Sequence, residues 1–175
     1  MAKPIIAITG STGFVGSSLR RFLADQNVSV ISLARKKRKS FRSEKSLIFS
    51  DLDKISHIKC DVLVHLIGTG AQTKDSEYDT VNVQQTQKSI RLCKRSKIKK
   101  IIYISGLGVS NSTTLGYFLS KLKAEKLIIQ SGLDYTIFRA SYIVGANDPL
   151  TQNLTKQIKS GIITIPGSGS YRLQP

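Results

Sequence analysis

The sequence predicts an α/β fold, a doubly wound parallel sheet with helices on both faces. Short runs rich in Val and Ile alternate along the chain with longer segments of helical periodicity, which is typical of βαβ units. The short runs are nearly continuous in apolar residues, as parallel strands covered on both faces require. Six strands are predicted, at residues 5–9, 28–33, 47–50, 61–67, 101–105 and 135–139.

Three helices are predicted between these strands, each from apolar residues that recur at helical spacing. Leu19, Phe22 and Leu23 share the side of the first helix that is predicted to face inward. Gly132 follows the third helix, where glycine commonly terminates a helix. The three segments are residues 14–26, 81–96 and about 117–131.

Composition and charge exclude several classes of protein. The chain has 175 residues, 40% of them apolar, which suits one globular domain and excludes a disordered or collagen-like chain. No apolar run approaches the roughly 18 residues of a membrane span. The N-terminus has no signal-peptide pattern, so a cytoplasmic protein is expected, with Cys60 and Cys93 reduced. The sequence contains no cluster of Cys and His residues, so no metal site is predicted.

The C-terminal end of the sequence predicts a fragment. Residues 162–166 form another short apolar run, and a stretch rich in Gly and Ser follows before the sequence stops at Pro175. This ending is typical of the start of a further element. We therefore expect residues 1–175 to form one domain that lacks a C-terminal part of its parent protein.

A glycine-rich loop follows the first predicted strand and opens the first predicted helix. Residues 9–16 read T-G-S-T-G-F-V-G, and this context is the one that a dinucleotide-binding loop needs. Gly10 permits the tight turn, Gly13 lets a pyrophosphate approach the backbone, and Gly16 permits close helix–strand packing. The alternative is a loop whose glycines serve only its turns. The residues predicted to bind a dinucleotide are Gly10, Ser11, Thr12, Gly13, Phe14 and Val15.

The end of the second strand favours NADP(H) over NAD(H) as the cofactor. Folds specific for NAD place Asp or Glu there to accept hydrogen bonds from the ribose hydroxyls. Here residues 35–39 read R-K-K-R-K, and the first acid after them is Glu44. Arg35 lies 19 residues after Gly16, about the expected offset, and its guanidinium can form a forked ion pair with a 2′-phosphate. NAD(H) stays possible, and the alternative for the run as a whole is a solvated basic loop.

Further motifs follow in chain order. Residues 65–68 read H-L-I-G at the end of the fourth strand, residues 81–83 read V-N-V, and residues 117–121 read Y-F-L-S-K. With the glycine loop, these motifs resemble the short-chain dehydrogenase/reductase superfamily in its extended and atypical branches. The resemblance covers essentially the whole chain and implies a Rossmann-type sheet. Residues 105–108 and 169–175 are most similar to nucleoside-diphosphate-sugar epimerase-like proteins, which are related to the nucleotide-binding accessory subunit of NADH:ubiquinone oxidoreductase.

The resemblance also implies further contacts and partners. Asp51 and Leu52 stand where the family places an acid and an apolar residue against the adenine, and Leu66, Ile67 and Gly68 match the strand end beside the adenine ribose. In the subgroup a small substrate domain follows the final Gln-Pro, so the resemblance implies that this domain is absent here. The resemblance implies a small-molecule substrate, which it does not identify. The family often forms homodimers through helices that correspond to the second and third helices predicted here. Three roles stay open for Asn82: to hold a water, to brace the fourth strand, or to begin a helix.

Tyr117 and Lys121 match the family's Y-x-x-x-K motif, so the resemblance implies that they are catalytic. Residues four apart on a helix lie on the same face, and a neighbouring ammonium is expected to lower the pKa of the phenol. Tyr117 would pass a proton while a nicotinamide passes a hydride. The third expected member is Ser105, which ends the fifth strand. Gly106 and Leu107 follow it, where active extended members carry serine or threonine.

Three functions fit these residues. An NADP-dependent oxidoreductase or sugar-nucleotide epimerase is favoured by the complete Tyr117 and Lys121 pair. A nucleotide-binding module without turnover, either a redox sensor or an accessory subunit, is favoured by the missing serine, although hydroxyl residues at 110–114 can substitute for it. The third is a nucleic-acid binder, suggested by a formal charge of +16 and basic runs at residues 35–45 and 91–100. No aromatic platform accompanies these runs, so nucleic acid is not the expected partner.

Overall fold

The computed structural model describes residues 2–73, 77–146, 148–164, 168 and 170, and a parallel sheet forms its centre. The strands within these residues are β1 (Ile5–Thr9), β2 (Ser29–Ala34), β3 (Glu44–Ile48), β4 (Val62–His65), β5 (Lys100–Gly106) and β6 (Asp134–Ala140). They lie in the order β3-β2-β1-β4-β5-β6, and the pairs from β3 to β5 are parallel. The predicted doubly wound sheet is therefore confirmed, with its chain order reversing between β1 and β4.

Helices alternate with these strands, as predicted. They are α1 (Phe14–Leu23), α2 (Gln85–Ser96), α3 (Gly116–Ile129) and α4 (Pro149–Ser160). A π-helical turn over Asp79–Gln84 leads directly into α2, and a short 3-10 turn covers Leu52–Lys54. Among the described residues, no helix is long and apolar enough to cross a membrane, and no group of His, Cys, Asp and Glu could hold a metal ion.

The chain divides into two compact units, residues 1–139 and 140–175. The first unit contains the sheet and α1 to α3. In the second unit, α4 begins after Asp148, whose side chain accepts a hydrogen bond from the Thr151 N–H at 2.8 Å, and it ends at Gly161 with φ 73°. The predicted similarity at residues 169–175 lies outside the described residues, apart from Ser170.

β3 begins three residues earlier than predicted. Its parallel pairing with β2 runs from Val30 opposite Glu44 to Ala34 opposite Ile48. β3 is an edge strand of mixed polarity, so the apolar run at residues 47–50 overlaps only its C-terminal end. The prediction of a strand at this place is confirmed, and its bounds are corrected.

The main core lies between one face of the sheet and helices α2 and α3. A smaller cluster packs under α1 on the other face and includes Leu23. Phe22, predicted inward, is 63% exposed, because the buried face of α1 consists of Gly16, Arg20 and Leu23. The main core contains Leu63, Ile90, Leu92, Cys93, Ile98, Ile101, Tyr103, Ala124 and Ile128.

Candidate functional site

A groove runs along the carboxyl ends of the strands, at the point where their order reverses between β1 and β4. Its larger part, about 500 Å³, is lined by the glycine loop, the end of β2 and the segment after β4. A smaller part, about 200 Å³, reaches Tyr117 and Lys121 on α3. Residues 66–69 line both parts, so the two are adjacent. Open parallel sheets bind their ligands in a crevice at this position.

The glycine loop between β1 and α1 is tightly packed at two positions. A Cβ atom at Gly10, where φ is 64°, would lie 2.6 Å from the carbonyl carbon of Leu66. A Cβ atom at Gly16 would lie 2.3 Å from the carbonyl oxygen of Gly10. Gly13 is the residue before α1, and no side chain caps the helix there. The first N–H groups of α1 are therefore available to an anion.

Most of the residues predicted to bind a cofactor line the groove, and three do not. Ser11 is buried, and its hydroxyl donates to the Leu33 carbonyl at 2.9 Å. Leu52 is fully buried in the core, because its 3-10 turn carries the side chain inward. Phe14, at the start of α1, is half-buried and lies outside the lining. The residues that line the groove are Gly10, Thr12, Gly13, Val15, Arg35, Asp51, Leu66, Ile67 and Gly68.

The larger part of the groove has one positive charge in excess, because Lys88 pairs with Asp51 and leaves Arg35 without a partner among the described residues. Arg35 directly follows β2, is exposed, and has no carboxylate partner among the described residues. Asp51 accepts from the Lys88 ammonium at 2.5 Å and from the Asp53 N–H at 2.9 Å. These two hydrogen bonds lower the pKa of Asp51. The carboxylate is thus already neutralised, whereas the guanidinium of Arg35 is available to an anion.

Lys121 reaches the smaller part of the groove from α3 with its side chain largely buried. It is 7% exposed, and its ammonium donates to the Ile104 carbonyl at 3.0 Å. The ammonium also lies 4.8 Å from the centre of the Tyr103 ring, and a Cβ atom at Gly68 would come within 3.3 Å of it. Burial lowers the pKa of Lys121 to about 8, against an opposing effect of Glu125.

Tyr117 lies one helical turn before Lys121, as the motif predicts, but its pKa is not lowered. The Lys121 ammonium is 5.9 Å from the centre of the Tyr117 ring, which packs edge-on against Tyr78 and Phe118. Burial, with a contribution from Tyr78, raises the pKa of Tyr117. The expectation of a lowered pKa is wrong for this structure, because the ammonium points to the Ile104 carbonyl and not to the phenol.

Ser105 lies beneath α3 and does not line the groove. It is 3% exposed, and its hydroxyl has no partner among the described residues at hydrogen-bonding distance and angle. The hydroxyl lies close enough to Glu125 to help lower the pKa of that carboxyl group, against the effect of burial. The next position, Gly106, faces the site: a Cβ atom there would lie 3.3 Å from the Tyr117 ring and 3.2 Å from the Phe118 ring. The structure brings Tyr117 and Lys121 together, and it places Ser105 apart from them.

Asn82 acts as a brace that joins two segments of the site through hydrogen bonds. It is fully buried in the π-helical turn, where its amide oxygen accepts from the Thr69 N–H at 2.8 Å. Its amide nitrogen donates to the Thr69 carbonyl at 3.1 Å and to the Ser120 hydroxyl at 2.9 Å. Of the three roles open from the sequence, the structure supports the brace, which joins the segment after β4 to α3.

Two ion pairs behind the groove were missed from the sequence. Glu125 accepts from Arg139 at 2.7 and 3.0 Å, and its position four residues after Lys121 was a signal that it shares the inward face of α3. Arg20 pairs with Glu44 at 2.5 Å. The spacing of Arg20 from Gly16 was the corresponding signal on α1.

The fold and groove define a class of protein. A parallel sheet of this order, with a glycine loop at its reversal point, is the arrangement of dinucleotide-binding proteins. A family model described as NAD(P)H-binding matches residues 10–161. The chain belongs to this family.

Curated relatives and solved structures agree with this assignment. The chain is 24% identical to "NADH dehydrogenase [ubiquinone] 1 alpha subcomplex subunit 9, mitochondrial" of Arabidopsis thaliana, over 98% of this chain and 46% of the relative. It is 26% identical to "4-hydroxy-2-methyl-3-oxo-4-farnesyl-3,4-dihydroquinoline-1-oxide ketoreductase" of Stigmatella aurantiaca, over 81% of this chain and 51% of the relative. The chain thus spans about half the length of these curated relatives.

A UDP-glucuronic acid 4-epimerase from Bacillus cereus, solved in complex with NAD, has the same fold. It superposes with a TM-score of 0.71 and 21% identity, over 90% of this chain and 63% of that one. Together with the family model, the comparisons confirm the resemblance to extended and atypical short-chain dehydrogenase/reductases, including its Rossmann-type fold.

Proposed function

We propose that the chain binds NADP(H) and acts as an oxidoreductase or sugar-nucleotide epimerase in which Tyr117 exchanges a proton with the substrate. The observation that carries this proposal is the segment that the two parts of the groove share. The glycine loop and Arg35 line its larger part, Tyr117 and Lys121 line its smaller part, and residues 66–69 line both. Relatives named as a ketoreductase and a 4-epimerase support the same type of chemistry.

The residues of the groove fit a dinucleotide. Gly10 and Gly16 let the loop pack tightly against its own backbone. At Gly13 the only atom of the described residues within 4 Å of an added Cβ is the Gly10 carbonyl oxygen at 3.4 Å, so the backbone there is open to close approach, and no side chain caps the N-terminus of α1. This loop would hold the pyrophosphate. At Gly68 a Cβ atom would meet Asn82 Oδ1 at 3.2 Å and the Lys121 ammonium at 3.3 Å. Lys121 and Gly68 both line the smaller part of the groove, where they would hold the nicotinamide end.

Arg35 supports NADP(H) over NAD(H). The only carboxylate among the described lining residues of the larger part is Asp51, and Lys88 already neutralises it. The ribose hydroxyls of NAD would find no unpaired carboxylate there. A 2′-phosphate would find the exposed guanidinium of Arg35, which suits a forked ion pair.

Tyr117 supplies the proton in the proposed reaction. When bound, the nicotinamide supplies hydride transfer. Because burial raises its pKa, Tyr117 is protonated at neutral pH and can donate to a carbonyl oxygen that is being reduced. Lys121 donates to the Ile104 carbonyl and not to the phenol, so it would position the cofactor beside Tyr117 and would not lower the pKa of the phenol. The Ile104 carbonyl orients this lysine, and Ser105 takes no part because it lies beneath α3.

A nucleotide-binding module without turnover is the second candidate. The burial of Ser105 away from the groove favours it, since no serine beside Tyr117 is then available to polarise a substrate oxygen. The similarity to a relative named as a subunit of NADH dehydrogenase favours it too. In that case the partner would be another protein chain.

Tyr117→Phe distinguishes the two candidates. NADPH binding is measured by nucleotide fluorescence, and turnover is measured as NADPH oxidation with a panel of ketones and as interconversion of UDP-sugars. An enzyme loses at least about 100-fold in turnover while its Kd for NADPH stays within about threefold. Tyr135→Phe, at an exposed tyrosine on β6, is the matched control and keeps full activity. Turnover unchanged in Tyr117→Phe contradicts the proposed role, and binding without any turnover in the parent chain favours the module.

A further inference from the structure

Arg20 is a buried charge behind the glycine loop, and the proposed reaction gives it no role. Its side chain is 6% exposed on the inward face of α1. It donates to Glu44 through two nitrogens, Nε to Oε1 at 2.5 Å and Nη2 to Oε2 at 3.0 Å, and the Glu44 side chain is only 1% exposed. Removing two charges from water is unfavourable unless further hydrogen bonds satisfy them. The remaining contacts of Arg20 therefore indicate what the pair does.

Those contacts join two loops. Arg20 Nη1 donates to the Ser11 carbonyl at 3.2 Å, and Nη2 donates to the Lys39 carbonyl at 3.0 Å. The guanidinium carbon also lies 5.1 Å from the centre of the Phe41 ring, which is favourable cation–π geometry. Ser11 belongs to the glycine loop, whereas Lys39 and Phe41 belong to the basic loop, residues 35–43. One side chain thus contacts the backbone of both loops.

Glu44 completes the attachment of the basic loop. Its Oε2 also accepts from the Phe41 N–H at 2.7 Å, and its own N–H donates to the Phe41 carbonyl at 3.3 Å. Burial opposes its charge, but hydrogen bonds from Arg20 and Phe41 outweigh burial and lower the pKa of Glu44. Within the described part of the chain, two further hydrogen bonds attach residues 35–43: one joins the hydroxyls of Ser40 and Ser46 at 3.1 Å, and in the other the Val30 N–H donates to the Ser43 carbonyl at 2.9 Å. Arg20 and Glu44 therefore carry most of the attachment of this loop.

We propose that Arg20 and Glu44 form a clamp that holds the basic loop beside the glycine loop and thereby sets how strongly the chain discriminates NADPH from NADH. This inference rests on the proposed cofactor preference, since Arg35 begins the clamped loop. A guanidinium on an anchored loop loses little conformational freedom when it binds a 2′-phosphate, whereas one on a released loop must first be ordered. Releasing the clamp weakens NADPH binding and leaves NADH nearly unaffected, because NADH has no 2′-phosphate.

The test compares the Kd values of NADPH and NADH, measured by nucleotide fluorescence, in two clamp variants. Arg20→Lys keeps the charge but cannot form the fork. The double variant R20M/E44L removes both charges and keeps the volume apolar, a replacement that buried ion pairs often tolerate. In both variants the ratio of the Kd for NADH to the Kd for NADPH is expected to fall about tenfold. Arg21→Lys, at an exposed position of α1, is the matched control and keeps the parent ratio.

The ratio remains informative even if a variant is partly unfolded. An unfolded fraction weakens the apparent binding of both nucleotides by the same factor, and this factor cancels in the ratio of the two Kd values. Both clamp variants retaining the parent ratio would overturn the clamp. Arg35→Glu separates this failure from that of the proposed function. If the parent shows no preference for NADPH, or if Arg35→Glu leaves the preference intact, the cofactor proposal fails together with the clamp. If Arg35→Glu abolishes the preference and both clamp variants keep it, the clamp alone fails.

Discussion

Lys121 is a buried cation that destabilises the folded chain at neutral pH, so we expect Lys121→Met to stabilise it. A pKa lowered from 10.5 to about 8 means that the fold disfavours the charged form by about 3 kcal/mol. Methionine fills a similar volume without a charge. The substitution loses the hydrogen bond to the Ile104 carbonyl, which contributes about 1 kcal/mol. The net gain in the free energy of unfolding is therefore about 2 kcal/mol at pH 7.

The pH dependence of this gain gives the sharper test. In the unfolded chain Lys121 keeps a pKa near 10.5, so between about pH 8 and 10.5 the unfolded chain binds more protons than the folded chain. The free energy of unfolding of the parent therefore rises with pH across this window. The penalty on the charged lysine falls to about 1 kcal/mol at pH 10, so the advantage of Lys121→Met disappears there.

Urea unfolding followed by circular dichroism at pH 7 and pH 10 measures both quantities. Lys123→Met is the matched control, because Lys123 is 57% exposed on the same helix. Its ion pair with Asp79 is on the surface, so its substitution is expected to change stability by less than about 1 kcal/mol at either pH. Destabilisation by Lys121→Met at pH 7, or an equal effect at both pH values, would refute the reasoning.

The glycine loop and the Asn82 brace give two further predictions. Gly16→Ala brings a Cβ atom to 2.3 Å from the Gly10 carbonyl oxygen and is expected to lower the free energy of unfolding by about 3 kcal/mol. Gly13→Ala, whose nearest contact is 3.4 Å, is expected to lower it by less than about 1 kcal/mol, and equal melting temperatures for the two variants would exclude this steric account. Asn82→Ala removes the hydrogen bonds to Thr69 and α3 and is expected to lower it by about 2–3 kcal/mol and to weaken NADPH binding, measured by denaturation and fluorescence titration. Stability equal to that of the parent would show that the brace is dispensable.

The sheet could be predicted because its central strands are buried on both faces and therefore appear as apolar runs. At the edge this signal weakens: β3 carries Glu44, Lys45 and Ser46, and only its last residues are apolar. Helix α4 was missed for a related reason. Its apolar residues are few: Leu150, Leu154 and Ile158 recur at helical spacing among polar residues, and the last two are 42% and 63% exposed. Its ends were nevertheless readable, from Asp-Pro at the start and Gly161 at the finish.

The positions of the site residues could be predicted more readily than the directions of their side chains. The loop at residues 9–16 and the Y-x-x-x-K motif placed Gly10, Tyr117 and Lys121 at the groove. Alternation along β5 turns Ser105 beneath α3, which its position in the sequence does not reveal. The raised pKa of Tyr117 depends on burial and on where the Lys121 ammonium points, and both are properties of the packed structure.

The central claim is that Arg35, in the groove beside the glycine loop, gives the chain its cofactor preference. It is tested most directly by titrating the parent and Arg35→Glu with NADPH and with NADH, following nucleotide fluorescence. We expect the parent to bind NADPH at least about tenfold more tightly than NADH. In Arg35→Glu this order is expected to reverse, because the carboxylate repels a 2′-phosphate and can accept hydrogen bonds from ribose hydroxyls. Equal affinities in the parent, or an unchanged preference in Arg35→Glu, would contradict the account.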